Sequence, residues 1–291
     1  MSIQQRILNF ALFGRGKWGN NYYQLLRALD GVSLRDVVTK DSGNLREVLR
    51  DPSIHCVVIA TPPKTHFRFA RAALKAGKHV LVEKPMVLRV RDAKVLAALV
   101  KKSGRTFMVG HQYLYNEDVR RIKKRIDSGE MGAIRYMLAD HFSSGVRTDV
   151  DVLWDAAPHA LSMFQYFFNP TKIVSACVEK SSDKGFVSVH LRFDRGPLFC
   201  MRAVWRAPEK IRKITIVGKK RSAVLDETLK NRKLKFFNPV STPLSRTHTP
   251  LQNEMEHFIA CVRSGKKPLT GVEHGFRIIK FLDKISKYGI H

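Results

Sequence analysis

Residues 56–85 hold two nearly continuous runs of β-branched and aliphatic residues, CVVIAT (56–61) and HVLVEK (79–84), with a helical pattern at 66–76 between them. Runs that are apolar at every position mark strands covered on both faces, the condition of parallel strands in a sheet flanked by helices. Gly77 is placed to stop the helix, and Pro85 to stop the second strand. In a doubly wound sheet the carboxyl ends of the strands face the ligand crevice, so Lys84 is expected where chemistry happens.

The same rule applies to the N-terminus. An apolar strand at 6–13 runs directly into Gly14-Arg15-Gly16-Lys17-Trp18-Gly19, followed by a helical pattern at 21–29. Glycines in a strand-turn-helix context permit the tight turn and bring a pyrophosphate close to the helix N-terminus, so all six residues are candidate dinucleotide contacts. An acidic residue is expected about 20 positions on, at the end of the second strand, to hold the adenosine ribose. Here Val37-Val38 is followed by Thr39 and Lys40, and only then by Asp41. A small hydroxyl and a cation suit a 2′-phosphate, which favours NADP over NAD. Asp41 reaches the ribose if the strand ends later, and Arg15 serves either cofactor. Thr61, Pro62 and Glu83 are expected to line the nicotinamide side.

At 291 residues the chain exceeds the usual span of a single core, so two domains are expected. A helix pattern at 91–102 and a strand at 106–110 continue the alternation. HQYLYN (111–116) then leaves the sheet at another carboxyl end, and a basic amphipathic helix follows at 119–126. Strand-like runs succeed one another afterwards, at 134–142, 173–178, 186–193, 198–205, 211–217 and 234–237. The expected fold is therefore α/β: an N-terminal doubly wound Rossmann domain at 1–118, and an α+β domain at 119–291 built on a largely antiparallel open sheet. No internal repeat or low-complexity linker is present.

Cys56, Cys177, Cys200 and Cys261 lack the spacing of a zinc site or a disulfide framework. Reduced thiols, no metal and a cytoplasmic location are expected. The N-terminal apolar run is interrupted by Asn9 and enters the glycine turn, so it reads as a strand and not as a signal segment. No stretch is long enough to span a bilayer. The 52 Lys and Arg against 25 Asp and Glu give a net charge of +27. Such a field concentrates anionic ligands such as dinucleotides and nucleotide sugars, and holds nucleic acid nonspecifically. Basic runs occur at 120–125, 219–221 and 230–235, without a helix-turn-helix, zinc-finger or RNP-type pattern. Solvated basic faces, and no specific nucleic acid, are the expectation.

VVIATPPKTHFRFARAALKAGKHVLVEKP, the glycine turn before it, Asp155-Ala156-Ala157-Pro158-His159 after it, and EHFIACVRSGKKPLTGVEHGFRIIKFL near the C-terminus together resemble the Gfo/Idh/MocA family of NAD(P)-dependent sugar and polyol oxidoreductases. GHQYLYN and VDVLWDAAPHALSMFQYF resemble members from surface-polysaccharide and nucleotide-sugar pathways. The resemblance implies that Lys84 touches the reacting hydroxyl and that His159 is the acid/base. Oxidising a secondary alcohol needs such a base while hydride leaves the same carbon. With Pro158 at the first helical position, His159 falls in the first turn, where the positive helix end favours neutral imidazole. Asp155 would orient His159 or bind a sugar hydroxyl.

By the same resemblance the substrate is a sugar, an inositol or a nucleotide sugar such as UDP-N-acetylglucosamine, held by Tyr113, Tyr115, Asn116, Arg147, Asp155 and His159. Arg147 would pair with a phosphate or carboxylate, or would simply be a surface cation. Association through the exposed second-domain sheet implies a homodimer or homotetramer. His66 is expected to be structural, and Met163, Phe164, Phe167 and Phe168 to be core. A dinucleotide-binding regulator without turnover is the alternative of another class.

Overall fold

The computed structural model describes residues 7–41, 44–230, 233–237 and 248–288. Arg6 of the expected first strand and residues 231–232 of the basic run at 230–235 lie outside the described residues. The chain forms two compact units, Met1–Gly110 with Glu254–Ile279, and His111–Asn253 with Lys280–His291. These units are not the two consecutive stretches, 1–118 and 119–291, expected from the sequence. Residues 254–279 return to the first unit, whereas Phe281 beyond them packs against Phe193 in the second.

In the first unit, strands β1 (Leu8–Phe13), β2 (Val32–Val38), β3 (Cys56–Ile59), β4 (His79–Glu83) and β5 (Phe107–Gly110) alternate with helices α1 (Gly19–Ala28), α2 (Leu45–Arg50), α3 (Pro63–Lys75) and α4 (Val90–Ser103). The strands form one sheet in the order β2-β1-β3-β4-β5, with every pair parallel. β3 and β5 are buried along their full length, which is why their sequences are apolar throughout. β2, at the edge, is mostly half-buried and tolerates Ser33, Arg35 and Asp36. The order reverses between β1 and β3, and that is where a doubly wound sheet opens its crevice. Two backbone bonds level the strand ends: Gly14 N–H donates to the Val38 carbonyl, and Ala60 N–H to the Phe13 carbonyl, each at 2.8 Å. α3 starts before His66, at Pro63, because a proline at the first helical position loses no hydrogen bond.

The second unit holds α5 (Glu117–Asp127), β6 (Ile134–Ser143), α6 (Val152–Phe168) and β7 (Ile173–Lys180), β8 (Phe186–Phe193), β9 (Leu198–Trp205), β10 (Ile211–Gly218), β11 (Ser222–Asp226) and β12 (Leu234–Phe237). Its sheet runs β12-β11-β10-β6-β9-β8-β7, antiparallel except for the parallel pair β6–β9. β11 has no counterpart in the sequence expectation, since SAVLD is short and ends in Ser222 and Asp226. Phe164 of α6 packs against Phe193 (4.7 Å between centroids) and Phe199 (5.2 Å). Met163, Phe164 and Phe167 are buried as expected, whereas Phe168 is half-buried.

Helices α7 (Pro250–Ser264) and α8 (Val272–Ser286) close the chain. Within the first unit, Phe258 of α7 meets Phe10 edge-on at 6.3 Å, Arg263 donates to the Gly31 carbonyl at 2.9 Å, and the Thr270 hydroxyl donates to the Val109 carbonyl at 2.7 Å.

Candidate active site

Gly14 and Gly19 are glycines for steric reasons. Gly14 has φ +90°, and a Cβ there would lie 2.8 Å from the Ala60 carbonyl carbon and oxygen; on Gly19 it would lie 2.2 Å from the Gly14 oxygen. The turn is therefore wound on itself and against the end of β3. At Gly16 an added Cβ meets nothing within 4 Å, and Arg15, Lys17 and Trp18 beside it are exposed. An open, side-chain-free backbone between the strand and the start of α1 fits a pyrophosphate. Thr39 and Lys40 follow β2 directly, next to the bond from Gly14 to Val38. Thr39 Oγ1 accepts the Asp41 N–H at 3.2 Å, which folds the segment back on itself. The residues present fit a nicotinamide dinucleotide, with a cation where a ribose-binding acid is more usual.

Lys84 directly follows β4, half-buried, and is joined to Pro85 by a cis peptide bond. Glu83, expected at the nicotinamide side, spends its carboxylate inside the unit. Its Oε1 accepts the Trp18 indole N–H and lies 2.7 Å from the Tyr22 hydroxyl, and its Oε2 accepts the Lys84 backbone N–H at 3.0 Å. The Tyr22 hydroxyl also lies 3.0 Å from Oε1 of Glu254, a fully buried residue of α7. Burial pushes both carboxyls above their usual range, Glu254 the further of the two, with the charge of Glu83 adding to its shift. His66 is fully buried between two carbonyls, with Nδ1 2.9 Å from that of Pro85 and Nε2 2.7 Å from that of Thr61. It ties the ends of β3 and β4 together, which is a structural role.

In the second unit, α6 is capped by Asp151, whose side chain accepts the Trp154 N–H at 2.9 Å. Pro158 is therefore interior, seventh in the helix, and His159 stands eighth. The expectation that His159 lies in the first turn beside the positive helix end is corrected accordingly: its neighbours, and not the helix terminus, set its environment. The His159 ring stacks on His141 of β6, with centroids 5.8 Å apart and an 8° interplanar angle, and meets Tyr113 edge-on at 5.0 Å. These rings line a small cavity with Met163 and Arg212. The Tyr113 hydroxyl is pushed up to about 12, first by burial, with Arg212 opposing and Glu227 adding.

Three expected substrate contacts are occupied otherwise. Tyr115 is fully buried, and its carbonyl accepts the Asn253 side chain at 3.1 Å. Asn116 caps α5, accepting the Asp118 N–H at 2.8 Å, and donates to Glu227 at 2.8 Å. Arg147 forks onto Asp149 at 2.9 and 2.7 Å and reaches Asp155 at 3.2 Å, so its charge is compensated within the chain. Bonds to Arg147 in turn hold Asp149 below the usual carboxylate range. Among the described residues no cluster of His, Cys, Asp or Glu could hold a metal ion, and no helix is long and apolar enough to cross a membrane.

Residues 32–111 match the GFO_IDH_MocA oxidoreductase family, an NAD-binding Rossmann fold, and residues 119–224 match the GFO/IDH/MocA C-terminal domain. The chain belongs to the Gfo/Idh/MocA oxidoreductase family. Among Gfo/Idh/MocA relatives, scyllo-inositol 2-dehydrogenase (NAD(+)) of Bacillus subtilis strain 168 is 26% identical over 256 residues, covering 80% of this chain and 74% of its own. Two relatives with higher local identity, 37% and 36%, are matched over only 24% and 36% of their own length. A crystal structure of a protein described as an oxidoreductase from Magnetospirillum magnetotacticum MS-1 superposes with a TM-score of 0.84 at 27% identity, covering 95% of this chain and 98% of that one. UDP-N-acetylglucosamine 3-dehydrogenase GnnA of Acidithiobacillus ferrooxidans shares the fold, with a TM-score of 0.82 at 20% identity and 96% of each chain covered.

The sequence patterns did not single out Tyr22, His141, Arg212 or Glu254. For Glu254 a signal exists: it lies on one helical face with Phe258 and Cys261, a lone carboxylate in an apolar stripe. His141 and Arg212 become neighbours only through the pairing of β6 with β10, a register that no local pattern reveals.

Proposed function

We propose that the chain is an NAD(P)-dependent dehydrogenase acting on a ring hydroxyl of a sugar, with NADP favoured. The observation that carries this reading is the cavity in which His159 meets His141 and Tyr113, an imidazole among groups able to pass a proton. Gly14, Gly16 and Gly19 would seat the pyrophosphate, and Thr39 and Lys40 the adenosine end. The dinucleotide supplies a two-electron acceptor for the hydrogen on the alcohol carbon. Lys84 contacts the reacting hydroxyl, and His159 takes its proton as the C–O bond becomes a carbonyl; the reverse sequence reduces a ketone. Asp155 fixes Arg147, and the pair orders the loop that enters α6.

A nucleotide sugar such as UDP-N-acetylglucosamine, oxidised at C3, is the favoured substrate. The +27 charge supports it by concentrating polyanions. A free sugar or inositol is the second reading, supported by the inositol-dehydrogenase relative. A cytoplasmic homodimer or homotetramer is proposed, built on the face of the second sheet where the register partners Tyr136 and Leu198 and the neighbouring Leu138 stand exposed. Light scattering that shows only monomer would count against that assembly.

The test is nicotinamide absorbance during incubation with NADP⁺ or NAD⁺ and a panel of UDP-sugars, free sugars and inositols. Turnover of a panel member, lost on Lys84→Ala with dinucleotide binding retained, is expected. Dinucleotide binding without turnover of any member would instead favour a regulator that keeps the fold.

A further inference from the structure

Arg212 sits on β10 directly opposite His141 of β6, and its side chain lines the cavity that holds His159 and Tyr113. Among the described residues it makes no side-chain hydrogen bond or ion pair, and its Nη1 is buried without a partner. The two acids that line the cavity are already engaged. Asp140 takes Arg202 at 2.8 and 3.1 Å, and Glu227 takes Asn116 at 2.8 Å and Lys233 at 3.6 Å. Arg147, the cation marked out by sequence for substrate recognition, has acids of its own. Arg212 has none.

Arg212 is half-buried, and a guanidinium with one nitrogen buried and no counter-charge among the described residues is suited to pair with an anionic ligand. Burial lowers the pKa of Arg212, but arginine stays protonated throughout the physiological range. We propose that Arg212 is the anion-recognition residue of this cavity, and that the substrate carries a carboxylate or phosphate group. The inference rests on the assignment of the His159 cavity to the substrate and narrows its chemistry. The cavity is small, and Arg212 shares it with Tyr113, His141 and His159.

The experiment uses the full chain with saturating NADP⁺ and matched sugars: glucose, glucuronate and glucose 6-phosphate. Their turnover is followed by nicotinamide absorbance and their binding by calorimetry, in native protein, Arg212→Gln and Arg212→Lys, at about 0.15 M salt to screen nonspecific attraction. The native protein is expected to favour an anionic member over glucose by about 100-fold, the equivalent of about 2.7 kcal/mol at tenfold per 1.4. Arg212→Gln should bring that ratio near one, and Arg212→Lys should keep part of it. Preference for glucuronate identifies a carboxylate, and preference for glucose 6-phosphate a phosphate.

Thermal unfolding adds an independent readout. With no ligand present, Arg212→Gln should unfold close to the native midpoint, because Arg212 is half-buried and has no ion pair among the described residues to lose. Arg212-dependent binding of an anionic sugar without turnover would support the anion site while overturning the dehydrogenase assignment. Turnover with the same ratio in native protein and Arg212→Gln would overturn the anion site and keep the dehydrogenase. Failure of every anionic member to bind, or a lowered unfolding midpoint in Arg212→Gln, would overturn the proposal.

Discussion

Glu83 and Glu254 share one phenolic hydroxyl: that of Tyr22 lies 2.7 Å from the first and 3.0 Å from the second. A hydroxyl has one proton to donate, so one of these contacts needs a proton from the carboxyl side. Glu83 already accepts from Trp18 and from the Lys84 backbone, which marks it as the ionised acceptor. Among the described residues Glu254 has only Tyr22, with its Oε2 buried and unpartnered. Glu254 is therefore the carboxyl that keeps its proton, donating to Tyr22, which donates to Glu83. The chain ends at the backbone of Lys84 and the indole of Trp18, so it positions the residues on either side of the glycine turn and of the β4 terminus.

Glu254→Gln should be tolerated, since a carboxamide also donates to Tyr22. Tyr22→Phe should cost about 1–3 kcal/mol by leaving two buried carboxyls without their shared partner. The folded pKa of Glu254 lies well above its ordinary value of 4.5, chiefly through burial. Its contribution to stability is thus complete below that value and is lost as pH rises through the folded pKa. Denaturant unfolding between about pH 5 and 8 should show a smaller decline with pH in Glu254→Gln than in native protein. Parallel declines would remove the assignment of the proton to Glu254.

Gly16 and Gly19 should respond oppositely to alanine. At Gly19 the new Cβ meets the Gly14 backbone at 2.2 Å, so the turn must move, at a cost of about 1–3 kcal/mol. At Gly16 the Cβ enters open space. Gly16→Ala should unfold like the native protein yet bind NADPH about tenfold or more weakly, the effect of losing about 1.4 kcal/mol. Unchanged NADPH fluorescence titrations in Gly16→Ala would separate this turn from the cofactor.

Lys40→Ala should weaken NADPH by about tenfold and leave NADH nearly unchanged, as expected if the cation meets a 2′-phosphate. Equal effects on the two titrations would remove Lys40 from that role.

The first sheet was legible because its central strands are buried on both faces and therefore apolar at every position. Lys84 and the glycine turn could be placed from strand ends alone. The start of α6 was not legible, because Pro158 resembles a first helical residue and the true cap, Asp151, lies seven positions earlier. Tyr115 and Asn116 looked like crevice residues because they follow a strand end, but a 3-10 turn at Gln112–Tyr115 buries one and makes the other a cap. The contact of Tyr22 with Glu254 spans 232 positions. It depends on the C-terminal segment rejoining the first unit, which no periodicity encodes.

The central claim is that His159 exchanges the proton of a substrate hydroxyl. The most direct test is the pH profile of NADP-linked turnover in native protein and His159→Asn, with dinucleotide binding measured on the same samples. A rate reduced by about 10²–10⁴-fold across the profile, with NADPH binding unchanged, is expected. A His159→Asn enzyme that keeps its rate would contradict the account.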